Sequence, residues 1–212
     1  MELSELAKAV ENGKVKNVKQ LTSLALEEGY GVEEILNTGM IAPMGIVGDK
    51  FKRNEIFIPE MLLAARAMSA GVAILEPLMA DTGVKPMGKV VIGTVKGDLH
   101  DIGKNLVAMM MKGIGATVYD IGVDTPDEKF VEKAEEVGAD IVCISALLTT
   151  TMPAIQDVIQ AFEKSGVRDK YYIMIGGAPV TQQFADEIGA DVYTSNAGDA
   201  ATVAQQYLES RA

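Results

Sequence analysis

The chain has 212 residues, of which 48% are hydrophobic and 23% charged, an ordinary composition for a globular protein of one large or two modest domains. Its formal net charge of −11 leaves no basic patch for phosphates, so we expect neither nucleic acid nor an anionic membrane surface as the main partner. Cys143 is the only cysteine, which excludes a disulfide within this chain and a cysteine zinc cluster.

The first part of the chain has helical patterns throughout. Two segments end at glycines, a third begins with acidic residues that suit the helix dipole, and a fourth begins at a proline, which the first turn of a helix favours. These segments cover residues 1–13, 15–29, 31–51 and the residues from Pro59. Because Pro43 lies inside the third segment, we expect a kink there, within a small four-helix bundle over residues 1–82.

The longest apolar stretch, residues 57–80, contains Glu60, Arg66 and Glu76. These charges favour a long core helix over a membrane span. The N-terminus lacks a basic start followed by an apolar run, so no secretory signal is visible and we expect a cytoplasmic protein. Cys143 lies in an apolar run and is expected to be a small buried hydrophobic residue.

Residues 83–88, with two glycines and a proline, are predicted to be a linker. In residues 89–212, five strand-like runs alternate with five helical patterns. The alternation predicts an α/β domain with a doubly wound, five-stranded parallel sheet, whose strands lack polar alternation because helices cover both faces. Ligands of such sheets bind beyond the carboxyl ends of the strands. The candidate loops are therefore "KGDLHDIG", "SALLTTTM", "GGAPV" and "TSNAGD".

The first of these loops contains His100, the only histidine of the chain. Neither a GxGxxG dinucleotide pattern nor a Walker phosphate loop is present, and one histidine with one cysteine is a poor ligand set for catalytic zinc. Asp98, two residues before His100, is the kind of carboxylate that orients a metal-binding imidazole. One histidine is enough if the metal is already held in a macrocycle and needs only an axial ligand.

Three short motifs follow successive strands in this region: Asp98-x-His100-x-x-Gly103, Ser145-x-Leu147 and Gly176-Gly177. In this order they resemble the signature of cobalamin-binding domains that hold the cofactor base-off, with histidine on cobalt. The resemblance covers essentially the whole chain, since residues 45–68 look like the helical cap of methionine synthase and of corrinoid proteins in methyltransferase systems. It implies a Rossmann- or flavodoxin-like cobalamin-binding fold behind the helical cap.

The resemblance also implies a role for each site residue. His100 would be the axial cobalt ligand, Asp98 would accept its other N–H, and the hydroxyl of Thr151 would complete a triad with them. The implied cofactor-binding residues are Asp98, Leu99, His100, Asp101, Ile102, Gly103, Ser145, Leu147, Thr149, Thr151, Gly176, Gly177, Ala178, Asn196 and Gly198.

Several of these residues have a more specific expected contact. Small side chains at Ser145, Gly176 and Gly177 would let the displaced benzimidazole tail run close to the backbone. Ser145 would hydrogen-bond the benzimidazole base of the tail, and the side chain of Leu147 would line the cavity that holds this base. Gly103 would permit tight packing where the loop enters its helix. Thr149 and Thr150 have a second interpretation, as helix-capping residues only.

By the same resemblance, Phe51 and Ile58 would lie over the upper cobalt face and shield a methyl group. The alternative for both is ordinary packing in the bundle core.

The function implied is that of a methyl carrier, with methylcobalamin and cob(I)alamin as the forms of its cofactor. A substrate-specific methyltransferase would supply the methyl group, and a second methyltransferase would pass it to tetrahydrofolate or a thiol. A reductive activase would be a further partner, in the one-carbon metabolism of an anaerobic cell. The protein alone would turn nothing over, because the cofactor carries the chemistry.

Two other classes of cobalamin protein stay open. One is the cobalamin-binding subunit of a mutase, a class that typically lacks this helical cap. The other is a cobalamin sensor, which normally carries an added DNA-binding or signalling module. A plain α/β domain without a cofactor is a third reading, which the three motifs disfavour. The methyl donor, the acceptor, the native lower base and the oligomeric state are not encoded in any pattern of this sequence.

Overall fold

The structure is a computed structural model that describes residues 2–82 and 86–211, with the backbone only for residues 80–82. These residues divide into two compact units. The first contains the residues to Pro86 together with Lys112–Gly115, and the second contains Met87–Met111 and the residues from Ala116. Within the predicted linker 83–88, residues 83–85 lie outside the described residues, and the domain boundaries predicted from the sequence stay a prediction.

The first unit is helical, as predicted. Its elements are α1 (Leu3–Glu11), α2 (Val15–Glu27), α3 (Val32–Leu36), a π-helical segment (Asn37–Ile41), α4 (Ala42–Lys52) and α5 (Ile58–Thr82). The helix expected over residues 31–51 is thus three consecutive pieces, α3, the π-helical segment and α4. The last helix begins one residue before the predicted Pro59.

The π-helical segment, Asn37–Ile41, lies just before Pro43, at the position where the kink was expected. Pro43 has no N–H to donate to the carbonyl four residues earlier, and the wider turn accommodates that loss. The N–H of Ala42 bonds to the carbonyl of Asn37, five residues back. Gly39, inside the segment, packs so closely on α1 that a Cβ would lie 2.6 Å from Cδ2 of Leu6. The hydrogen-bond pattern of the helix therefore changes just before Pro43, where Gly39 also packs closely on α1.

Helix α5 is the long helix expected from residues 57–80. By length and composition alone, Ile58–Met79 could cross a membrane, a test that the core helix of a soluble protein also passes. Met61, Ala64, Met68 and Leu75 on this helix are buried, and α5 packs against α1, α2, α3 and α4. The helix is the core of its unit, as predicted.

The second unit contains the predicted five-stranded parallel sheet. The strands are β1 (Lys89–Thr94), β2 (Thr117–Asp120), β3 (Ile141–Ser145), β4 (Tyr172–Gly176) and β5 (Val192–Tyr193). The helices are α6 (Ile102–Gly113), α7 (Asp127–Val137), α8 (Met152–Lys164), α9 (Gln182–Ile188) and α10 (Ala197–Glu209), with a 3-10 turn at Arg168–Lys170. The strand order is β2-β1-β3-β4-β5, with every pairing parallel.

This strand order places a topological switch at β1. The chain passes from β1 outward to β2, then back across β1 to β3 and on to β5. Right-handed crossovers therefore place α6 on one face of the sheet and α7, α8 and α9 on the other. The core of the latter face includes Phe130, Ile155, Phe162 and Ile188, packed on the central strands. Ligands of such sheets bind at the carboxyl ends of the two neighbouring strands, here β1 and β3, whose following connections go to opposite faces of the sheet.

Candidate functional site

The predicted site residues of the α/β unit meet at the carboxyl edge of β1, β3 and β4. Thr94, Ser145 and Gly176 pair across these strands in one row. The segment after β1 contains Asp98 and His100, and the segment after β3 contains Thr151. Because β1 and β3 are neighbours, the two segments lie side by side although about fifty residues separate them in sequence.

Asp98 is the centre of this group. Its side chain is fully buried. Oδ1 accepts from the backbone N–H of His100 at 3.0 Å and lies 2.7 Å from Nδ1 of the imidazole. Oδ2 accepts from the hydroxyl of Thr151 at 2.7 Å and from the N–H of Leu147 at 2.7 Å, with the N–H of Leu148 at 3.4 Å. The carboxylate thus joins the two segments through its two oxygens.

These hydrogen bonds decide the ionisation of Asp98. Burial by itself raises the pKa of the carboxyl, but the bonds from Thr151, Leu147 and His100 outweigh it and hold that pKa well below its usual range. Asp98 is therefore a carboxylate at neutral pH, able only to accept hydrogen bonds.

The ionisation of Asp98 fixes the tautomer of His100. A hydrogen bond at 2.7 Å to an ionised carboxylate requires the proton on Nδ1. In the neutral imidazole, Nε2 then carries the free lone pair. The side chain of His100 is 49% exposed, so the ring is not enclosed by the protein. The site offers one oriented, accessible nitrogen donor.

The backbone of His100 is held as well as its ring. The buried hydroxyl of Thr94, at the end of β1, donates to the carbonyl of His100 at 2.9 Å. Sequence reasoning missed Thr94, although a hydroxyl that closes an otherwise apolar strand was a visible signal. It also missed the backbone N–H groups of Leu147 and Leu148, which contact Asp98, while the predicted role of the Leu147 side chain stays a prediction.

Exposed apolar side chains lie on the two segments that form the site. Leu99 and Ile102, beside His100 in sequence, are 71% and 74% exposed, and Leu147 and Leu148 are exposed on the neighbouring segment. Asp101 is also exposed and interacts with Asn105 in the first turn of α6. Large exposed apolar side chains next to a polar donor are typical of a surface that an apolar ligand covers.

The three motif glycines differ in how much space the structure leaves for a side chain at each position. Gly177 has a φ of +135°, and a Cβ there would lie 1.8 Å from the carbonyl oxygen of Ala146, so the protein's own backbone requires glycine. A Cβ on Gly176 would lie 3.3 Å from the carbonyl of Thr194, a tight but smaller conflict.

Gly103 differs from both, and the packing reason expected for it is wrong. A Cβ on Gly103 would meet no other described atom within 4 Å, apart from its own turn of helix and its chain neighbours. The open space beside it is room that no described residue fills.

The remaining predicted residues occupy separate places on this edge. The N–H of Asp199 donates to the side chain of Asn196, which caps α10, and the buried Gly198 follows in the first turn of that helix. Ala178 is exposed after β4. Thr149 is exposed and Thr150 is its neighbour, but the capping position of α8 is Thr151, so the capping interpretation of those two threonines is wrong. The hydroxyl of Thr151 donates to Oδ2 of Asp98 and makes no capping hydrogen bond to α8.

Phe51 and Ile58 belong to the helical unit. Phe51 is half-buried near the end of α4, and Ile58 is exposed at the start of α5, which disfavours a core role for Ile58. Their predicted place over the cobalt stays a prediction. Within residues 2–82 and 86–211, no group of three or more His, Cys, Asp or Glu side chains could hold a bare metal ion. Cys143 is buried as expected, and burial raises the pKa of its thiol to about 12.

Comparison with known proteins gives one consistent result. A family model described as "B12 binding domain" matches residues 88–204, and a second with the same description matches residues 2–76. Dimethylamine corrinoid protein 2 of Methanosarcina acetivorans is 45% identical over 207 residues, which are 97% of this chain and 95% of that protein. A corrinoid protein of Desulfitobacterium hafniense is 41% identical over 209 residues, 97% of each chain.

Solved structures agree with the sequence relatives. The methanol:cobalamin methyltransferase complex MtaBC from Methanosarcina barkeri contains a chain that matches with a TM-score of 0.90 at 29% identity. The match covers 98% of this chain and 79% of that one.

Proposed function

Since the chain belongs to the family of B12-binding proteins and its cofactor is cobalamin, we propose that it is a corrinoid methyl carrier of a methyltransferase system. It receives a methyl group from a substrate-specific methyltransferase and delivers it to a second methyltransferase with tetrahydrofolate or a thiol as acceptor. The observation that carries the proposal is the hydrogen bond between Nδ1 of His100 and the buried Asp98 carboxylate, which leaves Nε2 as an oriented donor.

The residues at the site fit the cofactor. A corrin ring supplies four nitrogen ligands, so cobalt needs a single axial donor from the protein, and His100 is the only histidine available. The exposed apolar side chains of Leu99 and Ile102 suit the flat apolar face of a macrocycle. Open space beside Gly103 leaves room at the start of α6. This donor set and this free volume support the base-off, His-on mode of binding.

In that mode the displaced lower base is held away from the metal. Ser145, Gly176 and Gly177 are the residues proposed to flank it, with Ala178, Asn196 and Gly198 beside them at the same sheet edge. Thr149, Asp101 and the N-terminal turn of α6 complete the proposed cofactor contacts. Gly177 must be glycine because of the carbonyl of Ala146, whether or not a cofactor is bound. Its lack of a side chain also leaves space for a ligand beside the backbone.

Bound cobalamin supplies the cobalt that takes up and releases the methyl group. Asp98 keeps the proton on Nδ1 of His100 and thereby presents Nε2 to the metal. Thr151 and the Leu147 amide donate to Oδ2 of Asp98 and keep that carboxylate ionised. The chain therefore supplies one nitrogen donor, Nε2 of His100, whose orientation is set by the protein's own hydrogen bonds.

The names of the relatives favour particular partners. Dimethylamine is in the name of the relative at 45% identity, so a methylamine is the first candidate donor, and methanol is the second because of the MtaBC complex. A reductive activase is a further proposed partner. We place the protein in the cytoplasm of an anaerobic cell, in one-carbon metabolism, and expect no turnover from the chain alone.

A mutase subunit and a cobalamin sensor are the alternatives. The match of residues 2–76 to a B12-binding model, and corrinoid proteins that align over 97% of the chain, favour the carrier. A direct test is transfer of a labelled methyl group from a methylated amine or methanol, with the cognate methyltransferase, onto the chain loaded with cobalamin that has been reduced to cob(I)alamin. Stable methylation that a second methyltransferase can discharge is the expected result. Loading with no methyl uptake from either donor would favour a sensor or a mutase subunit.

The His-on mode has a separate spectroscopic test. The Co(II) form should show electron paramagnetic resonance splitting from one imidazole nitrogen, altered when histidine is labelled with ¹⁵N. Because the chain has one histidine, any change is assigned to His100. Splitting that responds to labelled benzimidazole, and not to labelled histidine, would contradict the proposal.

A further inference from the structure

The segment after β2, residues 121–125, runs alongside the loop that contains His100. Val95 and Thr125 form an isolated parallel bridge, and the N–H of Thr125 donates to the carbonyl of Thr94 at 3.0 Å. The N–H of Thr94 in turn donates to the carbonyl of Gly122 at 3.0 Å. These bonds prolong the pairing of β1 and β2 past the ends of both strands, up to the residues that precede Asp98.

Asp124, on this segment, contacts the loop at two points. Its Oδ1 accepts from the N–H of Gly97 at 2.7 Å, and its own N–H donates to the carbonyl of Asp98 at 2.9 Å. The two bonds hold the N–H of the residue before Asp98 and the carbonyl of Asp98 itself. Because the side chain of Asp98 orients His100, a displacement of this backbone would be passed on to the imidazole.

The backbone of Asp124 is itself unusual. Its φ is +48°, in the left-handed region that most residues with a side chain avoid and that aspartate and asparagine tolerate best. In this conformation its N–H and its carboxylate both reach the same loop. Gly97, the residue it bonds, is also left-handed, with a φ of +82°. Two uncommon backbone conformations are thus joined by one short hydrogen bond.

The start of the segment is anchored separately. Asp120, the last residue of β2, accepts from the N–H of Gly122 at 2.9 Å and pairs with the buried Lys104 of α6. Since these bonds and the Thr94–Thr125 bond do not involve Asp124, a change at Asp124 leaves the segment attached to the sheet. The expected effect falls on the Asp98–His100 loop more than on folding.

We propose that Asp124 is a positioning residue for His100, acting through the backbone of Asp98. The inference rests on the proposed role of His100 as the axial ligand of cobalt. Asp124 binds no cofactor atom in this proposal. Its carboxylate and its left-handed backbone keep the Asp98 carboxylate where it holds the proton on Nδ1, which pre-organises Nε2 before the cofactor arrives.

Three substitutions separate the two properties of Asp124. Asp124→Asn keeps an oxygen acceptor and tolerates the left-handed conformation, so it should behave nearly as wild type. Asp124→Gly keeps the backbone conformation but loses the acceptor, and Asp124→Ala loses both. The matched control is Asp140→Ala, which removes the acceptor of the Lys89 N–H at the opposite edge of the same sheet.

Two readouts follow His100 directly. In ¹⁵N-histidine-labelled protein without cofactor, the nuclear magnetic resonance signals of the lone imidazole report whether the proton stays on Nδ1. In the cobalamin-loaded Co(II) protein, the imidazole splitting reports the His-on fraction. We expect Asp124→Gly to lower the equilibrium constant for histidine ligation by roughly three- to tenfold, as for loss of one partly exposed hydrogen bond, and to mix the tautomers of the free protein. Asp124→Ala should lower it further.

The outcomes are distinct. Full His-on ligation and an unchanged tautomer in Asp124→Gly would overturn the inference, as would an equal loss in Asp140→Ala, which would indicate general destabilisation. Rescue by Asp124→Asn supports it. If the wild-type protein shows no imidazole splitting, the proposed His-on mode fails; a tautomer that still depends on Asp124 in the cofactor-free protein would then support a positioning role for Asp124 that is independent of cobalt ligation.

Discussion

The hydroxyl of Thr151 donates to Oδ2 of Asp98 at 2.7 Å across 53 positions of sequence. Through this bond the segment after β3 holds the residue that orients His100 on the segment after β1. The relationship exists because β1 and β3 are neighbours in the sheet.

Thr151→Val should weaken the site without changing its shape. Valine matches the size of threonine but leaves Oδ2 of the buried Asp98 without this donor, at a cost of about 1.5–3 kcal/mol in the free energy of unfolding. Thr151→Ser keeps the hydroxyl and should stay within about 1 kcal/mol of wild type. Urea unfolding of the cofactor-free proteins measures both. Equal stability of the valine and serine variants would show that the hydrogen bond contributes nothing.

Asp98→Asn should weaken ligation of cobalt by His100 roughly 10–100-fold, the usual effect of removing a carboxylate that orients a metal-binding imidazole. Asparagine can still contact Nδ1, but its neutral amide no longer fixes which nitrogen carries the proton. The His-on fraction of the Co(II) protein is the measurement. Asp140→Asn is the control, because it removes the same charge at the opposite ends of the strands, where Asp140 accepts from the N–H of Lys89. A similar loss in both variants would make the effect one of charge alone.

Asp98 should also contribute to acid unfolding. Its pKa is lowered in the folded state, so the stability it contributes is present above the unfolded value of about 4 and is lost as the pH falls below it. Asp98→Asn should therefore be less stable than wild type at pH 7, with the difference shrinking toward pH 2. Free energies of unfolding from urea titrations at several pH values check this. A difference that stays constant with pH would contradict it.

The two glycines Gly103 and Gly177 should respond in opposite ways to alanine. Gly177→Ala places a Cβ against the carbonyl of Ala146 at a φ of +135°, and should cost more than about 3 kcal/mol or prevent folding. Gly103→Ala meets open space in a helix and should leave stability unchanged or raise it by up to about 1 kcal/mol. Its cobalamin affinity should nevertheless fall, because the free space is proposed to be filled by the cofactor. Thermal unfolding and equilibrium binding separate the two, and unchanged binding by Gly103→Ala would argue against that placement.

Phe51→Ala should expose the upper face of the cofactor if the helical unit shields it. We expect faster cleavage of the methyl–cobalt bond by light, with the spectrum of the axial ligand nearly unchanged. Leu24→Ala, at an exposed apolar residue of the same unit, is the control and should photolyse as wild type does. Identical rates in all three proteins would remove Phe51 from the proposed shield.

Much of the fold was predictable because it depends on local patterns. Alternation of strand-like and helical runs predicted the parallel sheet, and the π-helical segment appears where Pro43 predicted a kink. The three motifs also pointed to cobalamin, a prediction that the family match confirms. Each of these features is a pattern of neighbouring residues, or the order of such patterns along the chain. They can therefore be recognised without the contacts between distant segments.

The environment of Asp98 was decided by tertiary structure. The order β2-β1-β3-β4-β5 brings the Leu147 and Thr151 donors to a carboxylate about fifty residues away, and only their combined effect with His100 outweighs the cost of burial. Tertiary structure also decides whether a glycine can be replaced. The carbonyl of Ala146 leaves no space for a side chain at Gly177, whereas Gly103 faces open space. Residue types and spacing determine which groups are available for chemistry. Ionisation, tautomer and free volume depend on the packing of distant segments, because burial and hydrogen bonding act through space and not along the chain.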